Sequence, residues 1–135
     1  MSKPDQMSQS YVMSDDAVRF ATMIMAGQGV SNEDAAIIAE CLVEADLRGV
    51  QTHGLSRLPV YVERVQRGLV KAVPDMKLEK PVAACASLDG DNGFGFLVGR
   101  RAMQEAIMMA DSCGVGVVAA RNSNHFGMAA TYLLQ

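Results

Sequence analysis

Tryptophan is absent from this 135-residue sequence, aromatic residues make up only 5% of it, and there are only two histidines and three cysteines. The cysteines, Cys41, Cys85 and Cys113, are scattered and form no CxxC pair. This usage is typical of a reducing compartment, and each cysteine is expected to be a small buried hydrophobic residue. Because the histidines lie far apart in sequence and no HExxH motif is present, no metal site is expected.

The sequence also lacks a block of basic residues and a long apolar run. Its net charge is −3, with 12 lysines and arginines against 15 acidic residues, so we expect no nucleic-acid partner. No apolar stretch approaches the roughly 20 residues that span a bilayer. The polar start, MSKPDQMSQS, has no signal-peptide core. The expected location is therefore cytoplasmic, with no membrane partner.

The first half of the chain predicts a helical segment over residues 14–72, preceded by a flexible tail over residues 1–13. Ser14 and Ser31 are each expected to cap a helix, because acidic residues follow both and apolar residues then recur at helical spacing. A third helix is predicted over about 55–66, before a glycine. The first half is therefore expected to hold three helices.

The second half, residues 73–135, changes to an α/β pattern. Buried apolar strands are predicted at 82–88 and 115–120, and an amphipathic helix lies between them, from about Phe94 to near Gly114. This order indicates a βαβ unit with parallel strands and a right-handed crossover. The last residues, AATYLLQ, form a helical pattern without a stop signal. The expected fold class is α/β, with a three-helix segment followed by a truncated α/β domain.

Two polar, glycine-containing loops follow the predicted strands, over residues 89–95 and 121–127. The carboxyl ends of parallel strands share one edge of a sheet, where ligands bind in open α/β folds. The second loop places His125 at this edge. Histidine titrates near neutral pH, which suits it to move a proton during interconversion of a hydroxyl and a carbonyl.

Upstream, His53, Arg57 and Tyr61 are spaced four apart. In a continuous helix they would share one face and bring an acid/base, a guanidinium that can grip a carboxylate, and a phenol side by side. If Gly54 interrupts the helix, His53 lies in the preceding loop instead. Each histidine taken alone also has an alternative interpretation as a structural or merely exposed residue.

The glycines at 93, 95 and 99 follow a strand and open a helix, as the glycines of a dinucleotide-binding loop do. Their spacing is GxGxxxG rather than GxGxxG, and no acidic residue closes the next strand to hold a ribose. A Rossmann-type loop is therefore not expected here.

Three motifs together resemble the malate/L-lactate dehydrogenase-like oxidoreductases, a family that includes ureidoglycolate and sulfolactate dehydrogenases, diketogulonate reductase and piperideine/pyrroline-2-carboxylate reductases. The motifs are ADLRGVQTHGLSRLPVYVERVQRG, LDGDNGFG and RRAMQEAIMMADSCGVGVVAARNSNHFG, in the family's order. The resemblance implies a non-Rossmann α/β fold, a homodimer, and NAD or NADP as cofactor. Phe96 stands where relatives often carry glutamine. Because members of the family are much longer, most cofactor contacts are expected downstream of Gln135.

The resemblance also implies roles for individual residues. His53 matches the THG histidine, the proton donor in some members, and His125 matches the SNHFG histidine, the acid/base in others. Arg57 and Tyr61 match substrate-contacting positions, with Arg57 suited to a carboxylate, and Thr52 matches a small hydroxyl residue beside the site. The implied reaction is hydride transfer between a nicotinamide and C2 of a 2-oxo or 2-hydroxy acid. The alternative is a non-catalytic α/β fragment that binds a small carboxylate or a partner chain.

Overall fold

The computed structural model describes residues 11–135, so most of the predicted tail, residues 1–13, lies outside the described residues. Two short 3-10 turns, Gln51–His53 and Leu55–Arg57, stand between the second and third α-helices. The regular elements in chain order are α1 (Ser14–Ala26), α2 (Asn32–Leu47), α3 (Leu58–Gln66), β1 (Lys77–Val82), β2 (Cys85–Gly93), α4 (Gly95–Cys113), β3 (Val117–Ser123) and α5 (Ala130–Leu133).

Of the two serines predicted to cap a helix, one does so. Ser31 caps α2, because its hydroxyl accepts a hydrogen bond from the Asp34 N–H at 3.1 Å. The prediction that Ser14 caps α1 is wrong by one residue. Met13 is the N-cap and has no side-chain hydrogen bond, while the Ser14 hydroxyl contacts the Asp15 carboxylate at 3.4 Å.

The third α-helix begins at Leu58, three residues later than the sequence predicts. Gly54 is extended, with φ −91° and ψ −156°, and separates the two 3-10 turns. The continuous helix that would place His53, Arg57 and Tyr61 on one face is therefore not formed. His53 lies in the turn before the glycine, which was the alternative that Gly54 left open.

The predicted βαβ unit is confirmed: β2 and β3 pair in parallel and α4 connects them. The strand bounds differ, since β2 runs from Cys85 to Gly93 and β3 from Val117 to Ser123. Each strand therefore extends into what was predicted as a loop. The sequence also missed β1, which pairs antiparallel with β2 at the edge of a three-stranded sheet.

The prediction that both strands of the unit are buried is only partly right. Buried and less buried residues alternate along the first part of β2, whereas β3 is mostly exposed. The expected burial of all three cysteines is also wrong for Cys85 and Cys113, which are exposed, and right for Cys41. Cys85 opens an alternating strand and Cys113 ends α4, positions that place side chains outside the core.

One hydrophobic core joins the helical segment to the α/β segment. It contains Ile38 and Leu42 from α2, Tyr61 from α3, and Phe94 and Phe96 from the start of α4. The helices and the end of β2 are therefore held against each other by burial of apolar surface. No helix within residues 11–135 is both long and apolar enough to cross a membrane.

Candidate functional site

The structure brings the two histidines of the sequence together. The rings of His53 and His125 are stacked, with centroids 5.4 Å apart and planes inclined by 25°. His53 ends the first 3-10 turn before α3, and His125 follows β3. Two segments that are distant in sequence thus place two imidazole rings beside each other.

Hydrogen bonds fix the orientation of the His125 ring. Its Nδ1 atom lies 2.9 Å from the Tyr61 hydroxyl and accepts a hydrogen bond from the Gly127 N–H at 3.3 Å. A backbone N–H can only donate, so Nδ1 must carry a lone pair. The neutral ring therefore carries its proton on Nε2, and the Tyr61 hydroxyl donates to Nδ1.

The surroundings of His125 favour this neutral form. Partial burial, the Arg57 guanidinium and the nearby His53 each lower the pKa of His125 below its usual value. The phenol that faces it is held in its protonated state, because burial raises the pKa of Tyr61 although Arg57 opposes the shift. Edge-to-face contacts with Phe94 and Phe96, at centroid distances of 6.2 and 5.4 Å, fix the Tyr61 ring.

Arg57 carries the uncompensated charge of the site. Its Nε atom is buried and has no hydrogen-bond partner, and no carboxylate among residues 11–135 forms an ion pair with it. A cation in this position attracts an anion, and a carboxylate that engages the planar guanidinium in two places fits it best.

The turn that carries His53 is held by a residue that sequence analysis missed. The Asp46 carboxylate on α2 accepts a hydrogen bond from the Leu55 N–H at 2.8 Å. It fills the space beside Gly54, where a Cβ atom would lie 1.8 Å from the Asp46 Oδ1. Thr52, also predicted at the site, is adjacent to His53, and its hydroxyl oxygen lies 3.0 Å from the His53 Nδ1.

Asn124 is the second residue that sequence analysis missed. Asn124 directly precedes His125, and its side-chain amide links α3 to the end of β2. Both Asp46 and Asn124 lie within the recognised motifs, which gave the only signal for them. Their partners are separated from them by nine or more residues along the chain, so local patterns do not reveal their roles.

The glycines that resemble a phosphate loop are used for internal packing. A Cβ atom at Gly95 would lie 2.2 Å from the Asn124 carbonyl oxygen, and one at Gly93 would lie 2.6 Å from the Pro74 ring. At Gly99 it would meet the Tyr132 ring at 2.9 Å. These positions are filled by the chain and leave no cradle for a pyrophosphate. Within residues 11–135, no group of three or more His, Cys, Asp or Glu residues could hold a metal ion.

Comparison with known sequences gives the family. The malate/L-lactate dehydrogenase family profile matches residues 12–135. The chain is 48% identical over 104 residues to the L-sulfolactate dehydrogenase of Methanocaldococcus jannaschii, covering 77% of this chain and 30% of that protein. It is 43% identical over 123 residues to the malate dehydrogenase of Pyrococcus horikoshii, covering 91% of this chain and 34% of the relative. The ureidoglycolate dehydrogenase (NAD(+)) of Escherichia coli K12 is 37% identical over 107 residues, covering 79% and 30%.

Solved structures agree with the sequence comparison. The structure of malate dehydrogenase from Pyrococcus horikoshii superposes with a TM-score of 0.87 at 41% identity, covering 93% of this chain and 38% of that one. Sulfolactate dehydrogenase from Methanocaldococcus jannaschii gives the same TM-score and identity, covering 90% and 35%. The chain thus spans about a third of the length of these relatives. It belongs to the malate/L-lactate dehydrogenase family.

Proposed function

We propose that this chain carries the proton-transfer and carboxylate-binding side of an NAD(P)-dependent oxidoreductase that interconverts a 2-hydroxy acid and a 2-oxo acid. The observation that carries the proposal is the stacked pair of His53 and His125 beside Arg57, which has no carboxylate partner among residues 11–135. Malate, sulfolactate and ureidoglycolate, the compounds named in the relatives, share a carboxylate next to a carbon that bears a hydroxyl group. The Arg57 guanidinium can bind the carboxylate, and the two histidines can exchange a proton with the hydroxyl oxygen.

The cofactor of the proposal is NAD or NADP, which supplies or accepts the hydride when bound. The glycines at the start of α4 are filled by neighbouring residues and do not fit a dinucleotide phosphate. We therefore assign His53, Arg57 and His125 to the substrate and the proton, and no dinucleotide phosphate to the glycines at the start of α4.

In the proposal, Arg57 binds the substrate carboxylate. Its charge already lies close enough to lower the pKa of His125, so an anion bound to it stands beside the histidine pair. A bidentate carboxylate would fix the acid in orientation as well as in place. The adjacent carbonyl or hydroxyl oxygen would then face the rings.

The proposed proton step uses the histidine rings. The neutral His125 presents an Nε2–H, because Nδ1 is occupied by the Gly127 N–H and the Tyr61 hydroxyl. This N–H can donate a hydrogen bond to the carbonyl oxygen of the substrate. When the ring takes up a proton from solvent, the imidazolium can transfer its Nε2 proton to that oxygen as it becomes a hydroxyl, which leaves the neutral ring. His53, in contact with His125 and with Thr52, is the second group that can exchange a proton, and substitution decides between the two.

The test is the decay of absorbance at 340 nm with NADH and with NADPH over a panel of 2-oxo acids and cyclic imines. It is run on the chain and on the longest natural protein that contains it. We expect turnover by the longer protein and its loss in His53→Ala or His125→Ala. Removing a general acid/base typically costs about 10²–10⁴-fold in rate, so the larger loss identifies the proton donor.

A matched control uses Arg67, an exposed arginine of the helical segment that pairs with Glu63. Arg67→Gln should leave turnover unchanged. Neither turnover nor cofactor binding by either form would contradict the proposal and favour a non-catalytic domain that binds a small carboxylate or a partner chain. The proposal includes a homodimer, implied by the family resemblance, and sedimentation of the longer protein as a monomer would contradict that part.

A further inference from the structure

Helix α3 holds the loop after β3 through two neighbouring pairs of side chains. Tyr61 contacts His125 at 2.9 Å, and the Arg64 guanidinium donates to the Asn124 Oδ1 at 2.9 Å. Tyr61 and Arg64 are three residues apart and share a face of the helix. Two consecutive residues of the loop, Asn124 and His125, thus contact side chains on two successive turns of α3.

Both polar atoms of the Asn124 side-chain amide form hydrogen bonds. While Oδ1 accepts from Arg64, Nδ2 lies 3.0 Å from the Asn92 carbonyl oxygen, 2.9 Å from the Asn92 Oδ1 and 3.0 Å from the Gly93 carbonyl oxygen. The Asn124 backbone N–H also donates to the Gly93 carbonyl at 3.3 Å. Three acceptors around one NH₂ group and a cationic donor at the oxygen determine the orientation of the amide.

The backbone of the same loop is confined on its other side. A Cβ atom at Gly95 would lie 2.2 Å from the Asn124 carbonyl oxygen and 2.5 Å from the His125 carbonyl oxygen. The loop therefore sits directly on the start of α4 and cannot move further toward it. The Arg64–Asn124 hydrogen bond holds the loop against α3, and contact with Gly95 at the start of α4 limits its movement on the opposite side.

We propose that Arg64 and Asn124 are positioning residues that set the separation of the His53 and His125 rings. His53 is attached to the helical segment and His125 to the α/β segment, and the Arg64–Asn124 pair joins the two segments one residue from His125. The catalytic importance of the pair rests on the proposed function, whereas its effect on ring geometry does not.

The geometric test uses NMR of the 135-residue chain, whose two histidines give only two sets of imidazole signals. His53→Gln assigns them. In the wild type we expect nuclear Overhauser contacts between the two rings, and nitrogen shifts that place the His125 proton on Nε2. Arg64→Gln and Asn124→Asp should lose the contacts between the rings, because the first removes the cation and the second turns a carboxylate oxygen toward three acceptors.

Arg67→Gln is the control, because Arg67 lies just beyond the end of α3 and its one ion-pair partner among residues 11–135 is Glu63 on the exposed surface. It should keep the contacts between the rings. Wild-type contacts in both Arg64→Gln and Asn124→Asp would overturn the proposal. If Asn124→Asp does not fold, as judged by circular dichroism, Arg64→Gln alone decides.

The catalytic test uses the longest natural protein that contains the chain. Misplacement of a reacting group by about 1 Å can cost about 10²-fold in rate, so kcat should fall by about 10- to 100-fold in Arg64→Gln. KM for the 2-oxo acid should change little, because Arg57 is untouched. Arg64→Lys, which can still donate to Asn124, should restore part of the loss. An unchanged kcat in Arg64→Gln would overturn the proposal, whereas an inactive wild type with intact ring contacts would contradict only the proposed function.

Discussion

Replacing Gly54 by alanine tests the account of the turn that carries His53. The new Cβ atom would lie 1.8 Å from the Asp46 Oδ1 and 2.2 Å from its Cγ, whereas ordinary van der Waals contact begins at 3.4 Å. The carboxylate must therefore move by more than about 1 Å, a distance that breaks its 2.8 Å hydrogen bond to the Leu55 N–H. The backbone of Gly54 has a negative φ, so space rather than conformation requires glycine.

Two opposing effects set the magnitude. Losing a hydrogen bond to a charged group costs about 1.5–3 kcal/mol. Replacing glycine by alanine returns about 0.4–1 kcal/mol through the smaller entropy of the unfolded chain. Gly54→Ala should therefore reduce the free energy of unfolding by about 1–2 kcal/mol and displace His53 from the His125 ring.

The matched control is Gly49→Ala, at a glycine with φ +75° and no heavy atom within 4 Å of the added Cβ. It should cost about 1–2 kcal/mol through left-handed strain while leaving the ring contacts between the histidines intact. The double variant Asp46→Ala/Gly54→Ala makes room for the methyl group. Its cost should be about 0.4–1 kcal/mol lower than that of Asp46→Ala alone, because only the entropy effect of alanine then remains.

Urea unfolding followed by circular dichroism gives these free energies, and NMR contacts between the two imidazoles give the geometry. Wild-type stability and intact ring contacts in Gly54→Ala would refute the reasoning. So would simple additivity of the Asp46 and Gly54 substitutions, because the two residues could then not be in steric conflict.

Other predictions follow from the same structure. The pKa of His125 is lowered in the folded chain. The neutral ring therefore contributes its full stability above the pKa of the unfolded chain, about 6.5, and this contribution is lost as the pH falls through the pKa of the folded chain. His125→Gln should flatten this part of the pH profile of the free energy of unfolding in urea. Cys85 and Cys113 are exposed and should react rapidly with Ellman's reagent, whereas burial raises the pKa of the Cys41 thiol to about 11, so Cys41 should react only after unfolding; three equally fast thiols would contradict its burial. In the longer protein, Arg57→Lys should raise KM for a 2-oxo acid at least about tenfold with a smaller effect on kcat, since lysine cannot engage a carboxylate in two places; an unchanged KM would remove Arg57 from the substrate site.

The elements that the sequence predicted well are those specified by local signals. The cap at Ser31 and the left-handed Gly114 at the end of α4 lie where the pattern placed them. The parallel pairing of β2 and β3 followed from two apolar runs around an amphipathic helix. His125 was also placed correctly, beyond the strand edge, because strand order fixes where the loops lie.

The features that the sequence missed depend on contacts across space. β1, with the sequence KLEKPV, is charged and contains Pro81, so it lacks the composition of a strand and forms only by pairing with β2. The break at Gly54 depends on the Asp46 carboxylate of α2, which no local pattern specifies. Asn124 is defined by Arg64 and Asn92, which come from two other elements.

The contacts that place His125 beside His53 join parts of the chain that are far apart in sequence, and this affects the order in which the chain folds. Tyr61 and His125, which meet at the site, are 64 residues apart along the chain, and Arg64 and Asn124 are 60 apart. Contacts of such range form only after the chain has met the entropic cost of closing the intervening loop, and parallel strand pairing is slow for the same reason. In a chain in which only α1, α2 and α3 had formed, His53 and Arg57 would be in place, but the His125 ring would not lie beside them. Contact between the two rings therefore requires that the β2–α4–β3 crossover is complete.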